Sequence, residues 1–215
     1  MAVLFDLDDT LTYTYSAKSQ IHIATARKHF GIELVPEEIL RHWGKPNDEL
    51  FQALYKTYDM RAVYDAIQVE TPNFPMELIG DVNGVLGRLR RAQLLTGLVT
   101  SATQGIIKRN IEVGDPFPDV RLFHYIQTAE DTEFHKPDPR VFNPAKIFLG
   151  RKSVALAQTL YVGDGLLDAQ AASGAGLQFV GVGTGPKMTV KDFESEGFDA
   201  IDSVEGLPEY LGLPC

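Results

Sequence analysis

Three aspartates stand close together directly after a short hydrophobic run near the start of the printed sequence. Residues 2–5 predict a buried strand, and Asp6, Asp8 and Asp9 follow it within four positions. Asp6 and Asp8 are two residues apart, so in an extended segment their side chains face the same side. Like charges at this spacing repel each other. The stretch is therefore either a solvated acidic loop or a site that needs these charges.

Other polar side chains follow the later strands of a predicted parallel sheet. Thr100 and Ser101 follow the second strand, Lys136 comes several residues after the third, and Asp164 follows the fourth, with Asp168 four positions later. In open α/β sheets, sites form at the carboxyl ends of the strands. The sequence therefore predicts carboxylates, hydroxyls and an ammonium at a single edge of one sheet.

This set of groups suits the transfer of a phosphoryl group. Asp6, Asp8 and Asp164 together would need a cation, and Mg²⁺ prefers oxygen ligands. One carboxylate can attack phosphorus to give an aspartyl-phosphate, while a second protonates the leaving alcohol and later activates water. The hydroxyl of Thr100, nearby backbone N–H groups and Lys136 would hold the transferring oxygens.

The elements that must position these groups alternate between strands and helices. Apolar runs predict strands at residues 2–5, 95–99, 122–126, 159–162, 177–182 and, more weakly, 199–201. Helices are predicted at residues 81–91 and from about 103 to 111, and Asn143 is interpreted as an N-cap before Pro144. Apolar strands separated by helices indicate an α/β protein with a parallel sheet covered on both faces.

One stretch interrupts this alternation with helices alone. Helical patterns cover about residues 16–30, 36–43, 48–58 and 60–67. We interpret residues 14–75 as an inserted helical domain, and residues 1–13 and 76–215 as the α/β core. Tyr55, Tyr58 and Tyr64 fall at helical spacing and are predicted to lie in the core of the inserted domain.

Composition limits the partners and the location of the protein. The 215 residues carry a formal net charge of −9, which argues against broad binding to nucleic acid or anionic membranes. No apolar run has the length of a membrane span, and the acidic start is unlike a secretory or transit signal. The single cysteine, Cys215, cannot form an intramolecular disulfide, which fits a reducing compartment. We expect a cytoplasmic protein without nucleic-acid or membrane partners, and leave its oligomeric state open.

Four segments together resemble the motifs of the haloacid dehalogenase (HAD) superfamily, in the same order. They are Asp6-Leu-Asp8-Asp9-Thr10-Leu11, Leu98-Val-Thr100-Ser101, Lys136-Pro-Asp-Pro and Val162-Gly-Asp164-Gly-Leu-Leu-Asp168. The resemblance spans essentially the whole chain and implies a Rossmann-like core with a mobile cap. The helical insertion directly after the first motif is similar to the C1 cap of phosphoglycolate phosphatase-like members.

The resemblance implies roles for the matching acids. Asp6 matches the nucleophile and Asp8 the general acid/base, while Mg²⁺ would be bound by a carboxylate oxygen of Asp6, the main-chain carbonyl of Asp8, and Asp164. The family's dehalogenases lack an acid at the position of Asp8 and need no metal, so its presence favours phosphoryl transfer. The implied activity is that of a phosphoric monoester hydrolase: a Mg²⁺-dependent phosphatase that hydrolyses a small phosphorylated metabolite through an aspartyl-phosphate.

The remaining matches concern the phosphate. Thr100 and Lys136 match phosphate-binding positions, and Ser101 beside Thr100 is predicted to bind the phosphate with them. Asp168 matches a supporting acid near the metal and the lysine. Thr100 could also serve as a helix N-cap, and Lys136 could be a surface lysine. Two other functions stay open: a phosphomutase with the same residues, and a catalytically idle protein that senses phosphate or binds a partner.

A loop between two predicted helices of the inserted domain is the candidate for substrate recognition. Its residues His42, Gly44, Lys45 and Asn47 resemble the loop that C1 members lower onto the active site to read the substrate. Closure of such a loop would also exclude water from the first step.

Three residues depart from the family's pattern. Many members of the family have glycine at the positions of Asp9, His135 and Gln93. His135 directly precedes Lys136, and Gln93 comes before the second strand. None of these departures removes a catalytic group. Asp9 is interpreted as a residue that shapes the turn, and His135, like His124, as a hydrogen-bonded or exposed histidine.

Overall fold

The computed structural model describes residues 1–45, 47–113 and 116–213, without the side chains of residues 110 and 113. The chain forms two compact units, one of Met1–Tyr13 with Glu77–Cys215 and one of Thr14–Met76. No helix within the described ranges is long and apolar enough to cross a bilayer. The cytoplasmic location and the cap role of the smaller unit stay predictions, and Cys215 lies outside the described residues.

The smaller unit consists of helices. α1 (Thr14–Thr25) continues directly into a π-helix (Ala26–Phe30), and α2 (Pro36–His42), α3 (Asn47–Tyr55) and α4 (Met60–Glu70) follow. Gly31, with φ of 65°, ends the π-helix in the left-handed conformation that glycine adopts without a steric penalty. A cluster of buried side chains that includes Ile39, Phe51, Leu54 and Val63 holds these helices together.

Two details of the smaller unit differ from the sequence prediction. α3 ends at Tyr55 and not near residue 58, because Lys56 takes a left-handed φ of 52° that interrupts the helix. Tyr55 is buried as predicted, but Tyr58 is 86% exposed because it lies beyond the helix end. Tyr64 is 40% exposed and contacts the ring of Phe51 edge-on, so the core prediction is wrong for Tyr58 and holds only partly for Tyr64.

The larger unit is built on a parallel sheet. Its strands are β1 (Ala2–Phe5), β2 (Leu95–Val99), β3 (Tyr125–Gln127), β4 (Thr159–Gly163), β5 (Gln178–Val182) and β6 (Asp199–Ile201). The strand order is β3-β2-β1-β4-β5-β6, and every neighbouring pair is parallel. Phe5 of β1 pairs with Leu98 of β2 and Val162 of β4, so these three strands end at the same edge of the sheet.

Helices cover both faces of this sheet. They are α5 (Val82–Arg91), α6 (Gln104–Val113), α7 (Asn143–Arg151), α8 (Leu166–Ala175), α9 (Val190–Ser195) and α10 (Leu207–Tyr210). Leu86 of α5 belongs to the same buried cluster as Phe5, and Leu149 of α7 to the same buried cluster as Leu4. Burial on both faces explains why the strands are continuously apolar. The prediction of an α/β protein with a parallel sheet flanked by helices is confirmed.

Two predicted elements of the larger unit are shifted. The strand expected at residues 122–126 begins later, because the chain first makes a 3₁₀ turn at Val120–Leu122 and pairs with β2 only from Tyr125 onward. Asn143 is not the N-cap of α7. It already has helical angles, because the 3₁₀ turn Pro139–Phe142 runs directly into the helix.

Candidate active site

The carboxyl ends of β1 and β4 bring charged side chains together in a buried place. Asp6 directly follows β1, and its N–H donates to the carbonyl of Val162 at 2.9 Å, which holds this point of the chain against β4. Lys136 Nζ lies 2.6 Å from Asp6 Oδ1 and 2.7 Å from Asp168 Oδ1. The three side chains are 8–11% exposed, so solvent ions screen their interactions weakly.

Asp164 adds a third carboxylate to this cluster. It follows β4, and Asp6, Asp164 and Asp168 each offer one carboxylate oxygen, all within 4.8 Å of one another. Asp168 already uses both of its oxygens, because Oδ1 faces Lys136 and Oδ2 accepts the N–H of Gly165 at 3.1 Å. Asp6 and Asp164 are therefore the two acids best placed to hold a cation.

The pKa values of Asp6 and Asp164 are raised above those of ordinary carboxyls. Burial raises the pKa of Asp6 to about 7, against the opposing charge of Lys136 and with a further contribution from Asp168. Burial also raises the pKa of Asp164 well above its usual range, and the charges of Asp168 and Asp6 add to this effect. One ammonium thus does not balance three carboxylates, and an oxygen donor set with excess negative charge fits Mg²⁺.

The segment after Asp6 folds into a tight turn. Asp9 is buried with a left-handed φ of 57°, and its N–H donates to the carbonyl of Thr12 at 2.8 Å. Its own carbonyl accepts the hydroxyl proton of Thr184, at 2.6 Å, from the loop after β5. Aspartate tolerates this conformation better than most residues, so it can stand where the family has glycine. Asp8 is near enough for its charge to raise the pKa of Asp6, and its acid/base role stays a prediction.

Thr100 and Ser101 follow β2, the strand beside β1. Thr100 is buried, and its hydroxyl accepts the N–H of Ala102 at 3.0 Å. It is not the cap of α6, since the hydroxyl of Thr103 accepts an N–H from the first turn of that helix at 3.2 Å. A hydroxyl that accepts one hydrogen bond can still donate its own proton, as a phosphate contact requires. Ser101 is exposed beside it.

The residues predicted to contact the substrate all lie in the helical unit. His42 ends α2, Gly44 has a left-handed φ of 87°, and Lys45 is exposed. Asn47 begins α3, and its side-chain amide donates to the hydroxyl of Tyr64 at 3.3 Å. Their contact with a substrate stays a prediction.

The histidines and Gln93 also have defined places. His135 is exposed although it precedes Lys136. The Nδ1 atom of His124 accepts the N–H of Thr96 at 3.1 Å, near the amino end of β2 and so away from the carboxyl-end edge. Gln93 has a left-handed φ of 59°, which accounts for the glycine that the family often has at this position.

Three residues not singled out in the sequence also shape the cluster. A Cβ atom on Gly185, in the loop after β5, would lie only 2.8 Å from the Cβ of Asp164. Thr184 beside it anchors the acidic turn, as described above. Tyr161 on β4 lies against Lys136, whose Nζ is 5.1 Å from the ring centroid. The sequence could have indicated Gly185, because it follows the fifth strand as the site residues follow the other strands. Tyr161 could not be recognised in this way, because a buried tyrosine within a strand resembles any core residue.

The chain matches known proteins over most of its length. The family model for haloacid dehalogenase-like hydrolases matches residues 3–182. A protein of Caldanaerobacter subterraneus subsp. tengcongensis, provisionally named pyrophosphatase PpaX, is 30% identical over 202 residues, which cover 90% of this chain and 84% of that protein. The phosphoglycolate phosphatase of Salmonella typhimurium is 30% identical over 191 residues, which cover 89% of this chain and 69% of that enzyme.

Solved structures share the fold. A Bacteroides fragilis protein, provisionally named a haloacid dehalogenase-like hydrolase, superposes with a TM-score of 0.74 at 25% identity, covering 96% of this chain and 98% of that one. A Thermotoga maritima protein, provisionally named β-phosphoglucomutase, superposes with a TM-score of 0.78 at 20% identity, covering 98% of both chains. At this identity the second likeness concerns the fold alone. The two superpositions confirm the Rossmann-like α/β prediction.

Proposed function

This chain belongs to the haloacid dehalogenase-like hydrolases, and from that premise we propose that it is a Mg²⁺-dependent phosphatase of a small phosphorylated metabolite. The observation that carries the proposal is the buried cluster in which Asp6 lies 2.6 Å from Lys136 and shares an edge of the sheet with Asp164. A nucleophilic carboxylate, a fixed ammonium and oxygen donors for a cation are what phosphoryl transfer needs. The relatives named pyrophosphatase and phosphoglycolate phosphatase support the same class of chemistry.

In the first step, a carboxylate oxygen of Asp6 attacks the substrate phosphorus. The bond from phosphorus to the leaving oxygen breaks as the bond to Asp6 forms, and Asp8 gives its proton to the leaving oxygen. Lys136 and Thr100 stabilise the charge on the transferring oxygens. The products of this step are the free alcohol and an aspartyl-phosphate on Asp6.

In the second step, water attacks the phosphorus of the aspartyl-phosphate. Asp8, now ionised, takes a proton from that water, and the bond between phosphorus and Asp6 breaks. Inorganic phosphate leaves, and both carboxyl groups return to their starting states. The same acid thus serves in both half-reactions, which explains why the site needs a second carboxyl beside the nucleophile.

The residues that would hold Mg²⁺ are Asp6 and Asp164, together with the main-chain carbonyl of Asp8. Bound there, the cation offsets the repulsion between the carboxylates and the incoming phosphate. Asp168 has both oxygens occupied by Lys136 and Gly165, so its proposed role is to hold the lysine.

The proposal is tested by phosphate release from the purified chain with Mg²⁺, on p-nitrophenyl phosphate, phosphoglycolate, sugar phosphates and pyrophosphate. We expect hydrolysis that EDTA abolishes and added Mg²⁺ restores. Asp6→Asn keeps the size of the side chain and should lower kcat by at least about 10³-fold, because the nucleophile is lost. Asp65→Asn removes an exposed carboxylate on α4 and is the matched control. Substantial turnover by Asp6→Asn would refute the mechanism.

The same assay separates the two alternative functions. A phosphomutase protects its aspartyl-phosphate from water, so it would release little phosphate and would need a bisphosphate activator. A catalytically idle protein would hydrolyse no member of the panel. Steady phosphate release without any bisphosphate supports the phosphatase against both.

A further inference from the structure

Tyr161 crosses the centre of the sheet next to the site. It lies on β4 and is completely buried. Its hydroxyl donates to the carbonyl of Val99 on β2 at 3.0 Å, although β1 lies between these two strands. The ring therefore spans β1 and links the three strands that lead into Asp6, Thr100 and Asp164.

Tyr161 also lies against the ammonium of Lys136. An ammonium has three N–H donors. Two acceptors are Asp6 Oδ1 at 2.6 Å and Asp168 Oδ1 at 2.7 Å. The same Nζ atom lies 5.1 Å from the centroid of the Tyr161 ring, so Tyr161 is the aromatic neighbour of the ammonium.

The direction of the hydrogen bonds at Tyr161 suits this contact. Its proton is given to Val99, so the phenolic oxygen keeps lone pairs that can accept from the neighbouring ammonium. The ring is held edge-on against Phe142, with centroids 4.8 Å apart and an angle of 77°. The hydroxyl also lies 3.5 Å from Asp168 Oδ1. A buried ring held in this way presents a fixed acceptor to the lysine.

We propose that Tyr161 is a positioning residue for Lys136, and this inference rests on the proposed function. When Asp6 attacks phosphorus, its hydrogen bond to the lysine is lost, and that donor turns to a phosphoryl oxygen. Tyr161 and Asp168 then hold the other two donors, so the ammonium stays aligned on the transferring group. A charged group fixed before the reaction stabilises the transition state more than a mobile one.

Tyr161→Phe tests the proposal, because it keeps the packed ring and removes the hydroxyl, with its hydrogen bond to Val99 and its contact with Asp168. We expect kcat/KM to fall about 10- to 100-fold and the inhibition constant of inorganic phosphate to rise at least about fivefold. Tyr125→Phe is the matched control. It removes a tyrosine hydroxyl elsewhere in the same unit, which donates a hydrogen bond to Gln127 Oε1 at 3.0 Å. This control should leave kcat/KM unchanged.

A double-mutant cycle separates positioning from a general structural role. In the Lys136→Met background, Tyr161→Phe should change the residual kcat/KM less than about twofold, because the lysine it positions is absent. Equal effects in both backgrounds would overturn the proposal. If Lys136→Met does not fold, the phosphate inhibition constant of Tyr161→Phe decides, and an unchanged constant would overturn it.

Failure of the proposed function is distinguishable from failure of this inference. If the wild-type chain hydrolyses no substrate of the panel, the proposed function fails, but the contact can still be measured by urea unfolding of the same four proteins. Tyr161→Phe should then lower the equilibrium constant for folding. The factor by which it falls should be at least about threefold larger when Lys136 is present than in the Lys136→Met background. Equal factors would show that the hydroxyl does not hold the lysine.

Discussion

Lowering the pH below neutrality should destabilise the helical unit through one buried histidine. His22 on α1 is 5% exposed, and its Nδ1 lies 2.7 Å from the hydroxyl oxygen of Tyr55. Burial, and after it the positive charge of Lys18, lower the pKa of His22 from 6.5 to about 4. The native protein therefore keeps this imidazole neutral at a pH where the unfolded chain already binds a proton.

The sign and size of the effect follow from that difference. Between pH 6.5 and about pH 4 the unfolded state binds more protons, so the free energy of unfolding falls as the pH falls, and it levels off below this window. At about 1.4 kcal/mol per pH unit, the whole window corresponds to about 3 kcal/mol. Titration of His22 alone should cost about 2 kcal/mol between pH 7.5 and pH 5.

The measurement is urea unfolding at these two pH values, followed by the fluorescence of Trp43. This residue is the single tryptophan of the chain and packs against the buried cluster of the helical unit. Wild type should lose about 2 kcal/mol more than His22→Gln, which does not titrate. Tyr55→Phe is the control, because it removes the hydrogen-bond partner but keeps the imidazole, and the extra loss should persist. Equal pH dependence in wild type and His22→Gln would refute the reasoning.

Two further substitutions test backbone features of the larger unit. Gly185→Ala places a methyl group against Asp164 and should weaken Mg²⁺ binding at least about tenfold, as measured by calorimetry. The circular dichroism spectrum should stay unchanged. An undiminished affinity for Mg²⁺ would contradict this account of the loop. Gln93→Gly should stabilise the protein by about 1 kcal/mol and raise Tm, because the exposed Gln93 has a φ of 59° that costs a side-chain-bearing residue more than glycine. A lower Tm would contradict the left-handed conformation.

The sequence predicted the strands where burial on both faces leaves a continuous apolar run. β1 and β2 have the predicted bounds, because each lies inside the sheet with covered faces. β3 was misplaced, because its start is set by where it first pairs with β2, at Tyr125, and not by its local composition. Tyr58 was misplaced for a similar reason, since one left-handed residue, Lys56, ends the helix before it.

The position of residues after strands predicted which side chains meet at the candidate site. Asp6, Lys136, Asp164 and Asp168 come together in the structure because parallel neighbours end at one edge of the sheet. Tyr161 could not be found in this way. Its place beside the lysine depends on a side chain that extends from β4 past β1 to β2. No local sequence pattern predicts such a contact between strands that are not neighbours.

The central place of β1 in the sheet has a consequence for synthesis on the ribosome. Its two neighbours come much later in the chain, β2 from Leu95 and β4 from Thr159. At about 5–20 residues per second, translation from β1 to β4 takes roughly 8–30 s. Throughout that interval an apolar strand has an edge without its native neighbour, which is a template for association between nascent chains. The aspartates that directly follow β1 place like charges beside that edge, and charges that flank an apolar strand disfavour such association.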